Sequence, residues 1–120
     1  METLRISWQA YERFLFGGNE SGAYSLYKGR FVWDEKKHKA NIKKHKVTFT
    51  EAASVFEDDN AVYFDDESHS QDEERFIVIG FSERARLLMV CHCYRNGNSL
   101  IRIISARKAD KEESEYYTRR

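Results

Sequence analysis

The chain has 120 residues, with 20 Lys and Arg balancing 20 Asp and Glu, and is 41% apolar and 14% aromatic. That length suits one hydrophobic core of about 100–200 residues, and the aromatic content excludes a disordered chain, which buries too little apolar surface to offset its ordering entropy. No apolar run reaches the roughly 18 residues of a membrane-crossing helix, and Met1-Glu2-Thr3-Leu4-Arg5 lacks the basic-then-apolar pattern of a secretory signal, so a soluble cytoplasmic protein is expected.

Ser7 can cap a first helix that carries Trp8, Tyr11 and Leu15 on one stripe with Phe14 beside it, and Gly17-Gly18 supplies a left-handed stop. Residues 18–22, rich in Gly, Asn and Ser, read as a flexible connection. Residues 1–30 are thus expected to be an extension, helix plus linker, ahead of a domain over 31–120. A second helix is capped by Asp34 and runs to His45; a third opens on the capping box Thr48-Phe49-Thr50-Glu51 and buries Phe49, Ala52, Ala53 and Phe56. Near residue 60 the period changes. Segments 61–64, 75–81, 87–95 and 100–107 are rich in Val, Ile, Tyr and Phe and read as strands, the last two joined by the turn signal Asn96-Gly97. Asp110-Lys111-Glu112-Glu113 opens a short final helix. The expected fold is α+β: a four-stranded antiparallel sheet with two helices before it, outside the sheet, and a short C-terminal helix.

The zero net charge hides a segregation. Lys28–Lys46 holds eight basic residues and two acids, Glu57–Glu74 nine acids and no Lys or Arg, and Arg84–Lys108 six basic residues and no acid. A basic surface for a polyanion follows, unless the blocks neutralise one another within the fold. Cys91 and Cys93 flank His92; residues two apart in a strand are too far apart for an unstrained disulfide, so two buried thiols are expected.

On the second helix Lys37, Asn41 and Lys44 fall at i, i+4 and i+7 with His45 next, one polar stripe able to grip a phosphate and move a proton near neutral pH. The plainer reading has Asn41 and His45 bonding backbone and the lysines solvated. Arg75, Arg86, Arg95, Arg102 and Arg107 lie in or beside three successive strands, and their planar forks suit phosphate; the alternative is pairing with the acidic block, Glu73 and Glu74 included. Alternation places Arg102 on the face opposite Ile101, Ile103, Ser105 and Arg107. His92, between two thiols in a core strand, reads more readily as a hydrogen-bonded core histidine than as a catalytic one. Metal binding is the weaker idea: Asp65, Asp66 and His69 are close in sequence, but no zinc-ligand spacing occurs, and a serine elbow, a phosphate loop and a dinucleotide fingerprint are absent.

Phe31-Val32-Trp33-Asp34-Glu35-Lys36-Lys37, then Asn41, Lys44-His45, Val47, Phe49, Glu51-Ala52-Ala53 and Val55-Phe56, resembles the start of the BrnT toxin family. Glu73-Glu74-Arg75-Phe76-Ile77-Val78-Ile79-Gly80, Leu87-Leu88 to His92, Arg102 to Ala109 and the closing Glu113 and Tyr117 continue the likeness over about residues 31–117. The resemblance implies a RelE-like ribonuclease toxin of a type II toxin–antitoxin pair, acting on RNA without metal or other cofactor. It implies a BrnA-like ribbon-helix-helix antitoxin as partner, with operator DNA reached only through that antitoxin. On it, Lys44, His45, Arg75 and Arg107 are the catalytic candidates, and Lys37, Asn41, His92 and Arg102 the RNA-binding ones. The runner-up is a non-catalytic nucleic-acid- or protein-binding module on the same fold. The antitoxin is expected to lie across Lys44, His45 and Arg107; the competing surface is the aromatic stripe Trp8, Tyr11 and Leu15, which could instead dock the antitoxin or a second copy of the chain as a homodimer.

Overall fold

The computed structural model describes residues 3–7, 23–67 and 73–119. Seven strands, β1 (Thr3–Ser7), β2 (Ala23–Tyr27), β3 (Phe31–Asp34), β4 (Val62–Asp65), β5 (Phe76–Phe81), β6 (Leu87–Arg95) and β7 (Leu100–Lys108), form one sheet in the order β1-β2-β3-β7-β6-β5-β4. Between β3 and β4 come α1 (Glu35–His45) and α2 (Phe49–Ser54), the latter running into a 3₁₀ turn at Val55–Glu57; α3 (Lys111–Arg119) follows β7.

The expected meander is present as β4 to β7, each neighbouring pair antiparallel. The sheet as a whole is larger and mixed, which corrects the four-stranded antiparallel expectation. β3 joins β7 in parallel through Phe31↔Ile101 and Val32↔Arg102, and Ile101 N–H donates to the Arg30 carbonyl at 2.8 Å. Phe31, Val32 and Trp33 are all buried. A strand apolar on both faces belongs in a sheet interior, where it also satisfies β7's second edge. The flexible connection expected at residues 18–22 lies outside the described residues, while the expected extension around it carries two strands. Ala23–Tyr27 pairs antiparallel with β3, and Thr3–Ser7 pairs antiparallel with Ala23–Tyr27. The helix expected after Ser7 lies outside the described residues.

One face of the sheet carries the main core: Trp33, Val78, Leu88, Val90, Ile103 and Ala106 pack on Phe49, Ala52, Ala53 and Val55 of α2 and its 3₁₀ extension. Gly80 permits this approach, because a Cβ there would meet Val55 Cγ1 at 3.0 Å and Ala61 Cβ at 3.1 Å. Tyr24, Val32 and Leu100 form a smaller cluster on the opposite, open face.

A bulge corrects the expected alternation along β7. Cys91 pairs with Ser105, but His92 pairs with Ile103, leaving Ile104 unmatched. The parity of β7 therefore flips, so that Ile103 and Ala106 both reach the core. Arg102 and Arg107, expected on opposite faces, share the open one.

Candidate active site

The polar stripe of α1 lies along the part of β7 that β3 leaves unpaired. Asp34 caps the helix by accepting from Lys36 N–H at 2.7 Å, and Lys46, at φ 61°, ends it in the left-handed region with its N–H on the Ile42 carbonyl. Lys43, Lys44 and His45 in the last turn suit the negative end of the helix dipole. Apolar contact does little to hold the helix, since Ala40 and Ile42 are exposed.

Asn41 does the anchoring. Its buried amide donates to the carbonyls of Val47 at 2.9 Å and Ala106 at 2.8 Å, and its oxygen accepts Ala106 N–H at 3.1 Å. The expectation that it contacts RNA is corrected on this point: three of its hydrogen-bonding positions are spent on backbone. Around the clamp is a cleft of about 230 Å³ lined by Lys37, Ala40, Asn41, Lys44, His45, Ile104 and Ser105. The imidazole of His45 is held below its ordinary pKa by partial burial, then by the charges of Lys44 and Arg107. Neutral near pH 7, it can accept a proton.

Arg107 reaches this group from β7 but is already engaged. Its Nη1 and Nη2 donate to the two carboxylate oxygens of Glu113 at 2.9 and 2.8 Å. Glu113 in turn accepts Asp110 N–H at 2.9 Å, while its own N–H donates to Asp110 Oδ1 at 2.8 Å, so the capping box of α3 and the arginine clamp share one carboxylate. Tyr117, one turn on, donates its hydroxyl to Asp58 Oδ2 at 2.8 Å.

Arg75, Arg95 and Arg102 form a second group around Glu73. Arg75 Nε donates to Glu73 Oε2 at 3.3 Å and Arg95 Nη2 to Glu73 Oε1. Burial raises the Glu73 carboxyl, yet the Arg95 hydrogen bond and the charges of Arg95, Arg102 and Arg75 carry it net below its usual range. Arg102 is buried and pairs across the sheet with Cys93. Met89, opposite Arg107, and Cys93, opposite Arg102, are four residues apart on β6, about 13 Å at ~3.3 Å per residue. The sequence candidates thus divide into a seam with Lys37, Lys44, His45 and Arg107, and a separate row with Arg75 and Arg102.

His92 belongs to neither. It is fully buried on the core face, ringed by Phe56 at 4.9 Å, Tyr94 at 5.5 Å, Phe76 at 6.1 Å and Tyr63 at 6.2 Å. Burial pushes its pKa down to about 4. A place in contact with RNA is corrected to the core-histidine reading. Cys91 and Cys93 are free and buried, as expected; burial pushes the Cys91 thiol up to about 12. His69 lies outside the described residues, and among those described no three His, Cys, Asp or Glu side chains gather where a metal could be held.

The sequence points to Glu73 as a partner for the strand arginines but not to the carboxylates that hold Arg86 and Arg107. Glu51, the expected capping-box residue, is buried and accepts from Ser82 Oγ at 2.7 Å and Arg86 Nε at 2.9 Å, while Thr48 Oγ1 still caps Glu51 N–H at 3.0 Å. The available signal was that Glu51 and Glu113 both occupy the third position of a helix, where a carboxylate can reach backwards.

Residues 33–113 match the family described as ribonuclease toxin, BrnT, of type II toxin–antitoxin systems. The crystal structure of the Brucella abortus ribonuclease toxin BrnT is similar at TM-score 0.52 and 24% identity, covering 68% of this chain and 97% of that one. No curated protein matches.

Proposed function

Because the chain belongs to the BrnT family of ribonuclease toxins of type II toxin–antitoxin systems, we propose that the seam between α1 and β7 is where it cleaves RNA, without a metal. The observation that carries this reading is the meeting of a neutral imidazole, His45, with the cations Lys44 and Arg107 beside an open cleft. His45 takes the proton from a ribose 2′-hydroxyl. The 2′-oxygen bonds to the adjacent phosphorus, the bond from phosphorus to the 5′-oxygen breaks, and the Lys44 ammonium protonates that leaving oxygen. The products are a 2′,3′-cyclic phosphate and a 5′-hydroxyl end. Arg107 meets charge developing on the phosphate oxygens, the phosphate competing with Glu113 for its fork. Lys37 grips the backbone in the same cleft, and Arg75, on the same open face above the buried Arg102, holds RNA beyond it.

The partner in this reading is a BrnA-like ribbon-helix-helix antitoxin whose acidic, aromatic-bearing helix or arm covers Lys44, His45 and Arg107, and through which alone operator DNA is bound. Charge steers such an arm, and apolar anchors supply the affinity. The competing reading, a binding module without catalysis, is favoured by the pairing of Arg75 and Arg107 with carboxylates. Digestion of RNA by the purified protein, with and without EDTA, separates them. Cleavage that survives EDTA and is lost in His45→Gln supports the proposal. Binding without cleavage supports the module, and cleavage lost with EDTA overturns the metal-free mechanism.

A further inference from the structure

At the end of the sheet formed by the β6–β7 loop and the start of β5, a cleft of about 300 Å³ is lined by Glu74, Phe76, Tyr94, Arg95 and Asn98. We infer that this cleft is a guanine-binding subsite for the RNA, an inference that rests on the ribonuclease reading above. Its size is at the lower end for small-molecule pockets and is enough for one base. Two half-buried aromatic rings line it, Phe76 and Tyr94, edge to face at 5.5 Å. Behind them His92 packs on both rings, and Phe56 on His92, which fixes their planes from below. Rings held in this way and still lining a cleft offer a stacking surface to a base.

The polar groups choose the base. Glu74, an exposed carboxylate, offers only acceptors, and Asn98 offers an amide. Guanine alone among the four bases presents two adjacent N–H donors, N1 and N2, on its pairing edge, with the O6 acceptor beside them. Uracil would set carbonyls against the carboxylate, and the pairing edges of adenine and cytosine each set an acceptor beside their donor. Asn98 stands in a loop whose residues Asn96, Gly97 and Asn98 all have positive φ, 55°, 62° and 72°. Asn and Gly tolerate that region, so the loop keeps its shape. Arg95 is pinned by Glu73 and by its own donation to the Tyr94 carbonyl at 3.1 Å. Arg95 is the arginine that lines the cleft, and it shares Glu73 with Arg75, so one guanidinium stands beside a base bound there.

The test titrates the full chain with GMP, AMP, CMP and UMP by NMR and maps the cleavage sites of a mixed-sequence RNA by wild type, Glu74→Gln and Asn98→Gly. Glycine at 98 removes the amide and keeps the positive φ. The expected result is preferential binding of GMP with shifts at Phe76 and Tyr94, weakened roughly tenfold or more in Glu74→Gln, and cleavage sites clustered at a fixed spacing from guanosine that scatter in both variants. Cleavage with the same site distribution in all three proteins overturns the subsite and leaves the ribonuclease reading standing. GMP-selective binding by a protein that cleaves no RNA supports the cleft and overturns that reading. Absence of any base preference in both assays overturns the inference.

Discussion

Replacing Asn41 with alanine distinguishes a structural clamp from an RNA contact. The change strands the Val47 carbonyl and both the carbonyl and the N–H of Ala106, all of them partners of an amide that is 6% exposed. At about 1–3 kcal/mol for each buried group left unsatisfied, with some relaxation, the loss should be about 3–5 kcal/mol. That is a large part of the roughly 5–15 kcal/mol that holds a domain together. Urea denaturation followed by circular dichroism should show the midpoint falling by about 2 M, for a slope of about 2 kcal/mol per molar. Asn41→Asp should be worse, because it turns a carboxylate oxygen toward two carbonyls while retaining only the acceptor for Ala106 N–H. A midpoint within about 0.5 M of wild type, with RNA affinity lost, would refute the clamp and restore Asn41 to the RNA surface.

His45→Gln should slow RNA cleavage by about 10²–10⁴-fold, the usual worth of a positioned proton acceptor, with thermal unfolding unchanged. In the wild type the rate should rise with pH through a midpoint below 6.5, since the imidazole must be neutral to act and its pKa is lowered; a midpoint above 6.5 contradicts the assignment. Arg107→Ala and Arg75→Ala should each relieve growth arrest while leaving the protein folded, Arg107→Ala losing about 2.7–4 kcal/mol of barrier lowering by analogy with an oxyanion donor; two folded variants that remain fully toxic would show both arginines to be structural. His92 carries a pH effect on stability: its folded pKa of about 4 lies below the unfolded value of about 6.5, so the unfolded chain binds the extra proton between them, and about 3 kcal/mol is lost as pH falls through that window. His92→Phe should remove this loss in chemical denaturation at pH 7 and pH 4, and an unchanged acid sensitivity would count against a neutral buried imidazole.

The sequence made local structure legible where chain and fold agree. Asp34 and Thr48 cap the helices expected of them, the change of period near residue 60 marks the meander, and Asn96-Gly97 lies in the last hairpin, although the loop runs from Asn96 to Ser99. β3 gives no strand signal in the sequence, because a four-residue strand buried on both faces has no period, and its partner β7 is some seventy residues away. β2 was hidden by the Gly-rich stretch before it. At the site, helical spacing brought Lys37, Asn41, Lys44 and His45 together correctly, but spacing cannot say which member of a stripe turns inward; Asn41 does, to satisfy backbone. The bulge at Ile104 was equally illegible, and it alone puts Arg102 and Arg107 on one face. Glu73, beside Arg75 in the chain, is legible as an arginine partner, whereas Glu51 and Glu113 are not, because each already has an explanation as a helix-capping residue.

The hairpin of β1 and β2 also decides how this chain can meet copies of itself. The family match begins at residue 33, and without residues 1–30 the outer side of β3 would be a row of unpaired N–H and C=O groups, a template for a strand from another molecule. Here β2 fills that row from within the same chain, and Ser25 of β2 donates a hydrogen bond to Glu35, the first residue of α1. The two rims of the sheet are then β1 and β4. β4 ends in Asp65, with Asp66 and Glu67 after it and Asp58 and Asp59 before it, so two such rims brought together would place like charges side by side. Strand-to-strand assembly of the toxin, where it occurs, is thereby steered to the rim at residues 3–7, the one part of the sheet furthest along the chain from the residues proposed to cut RNA.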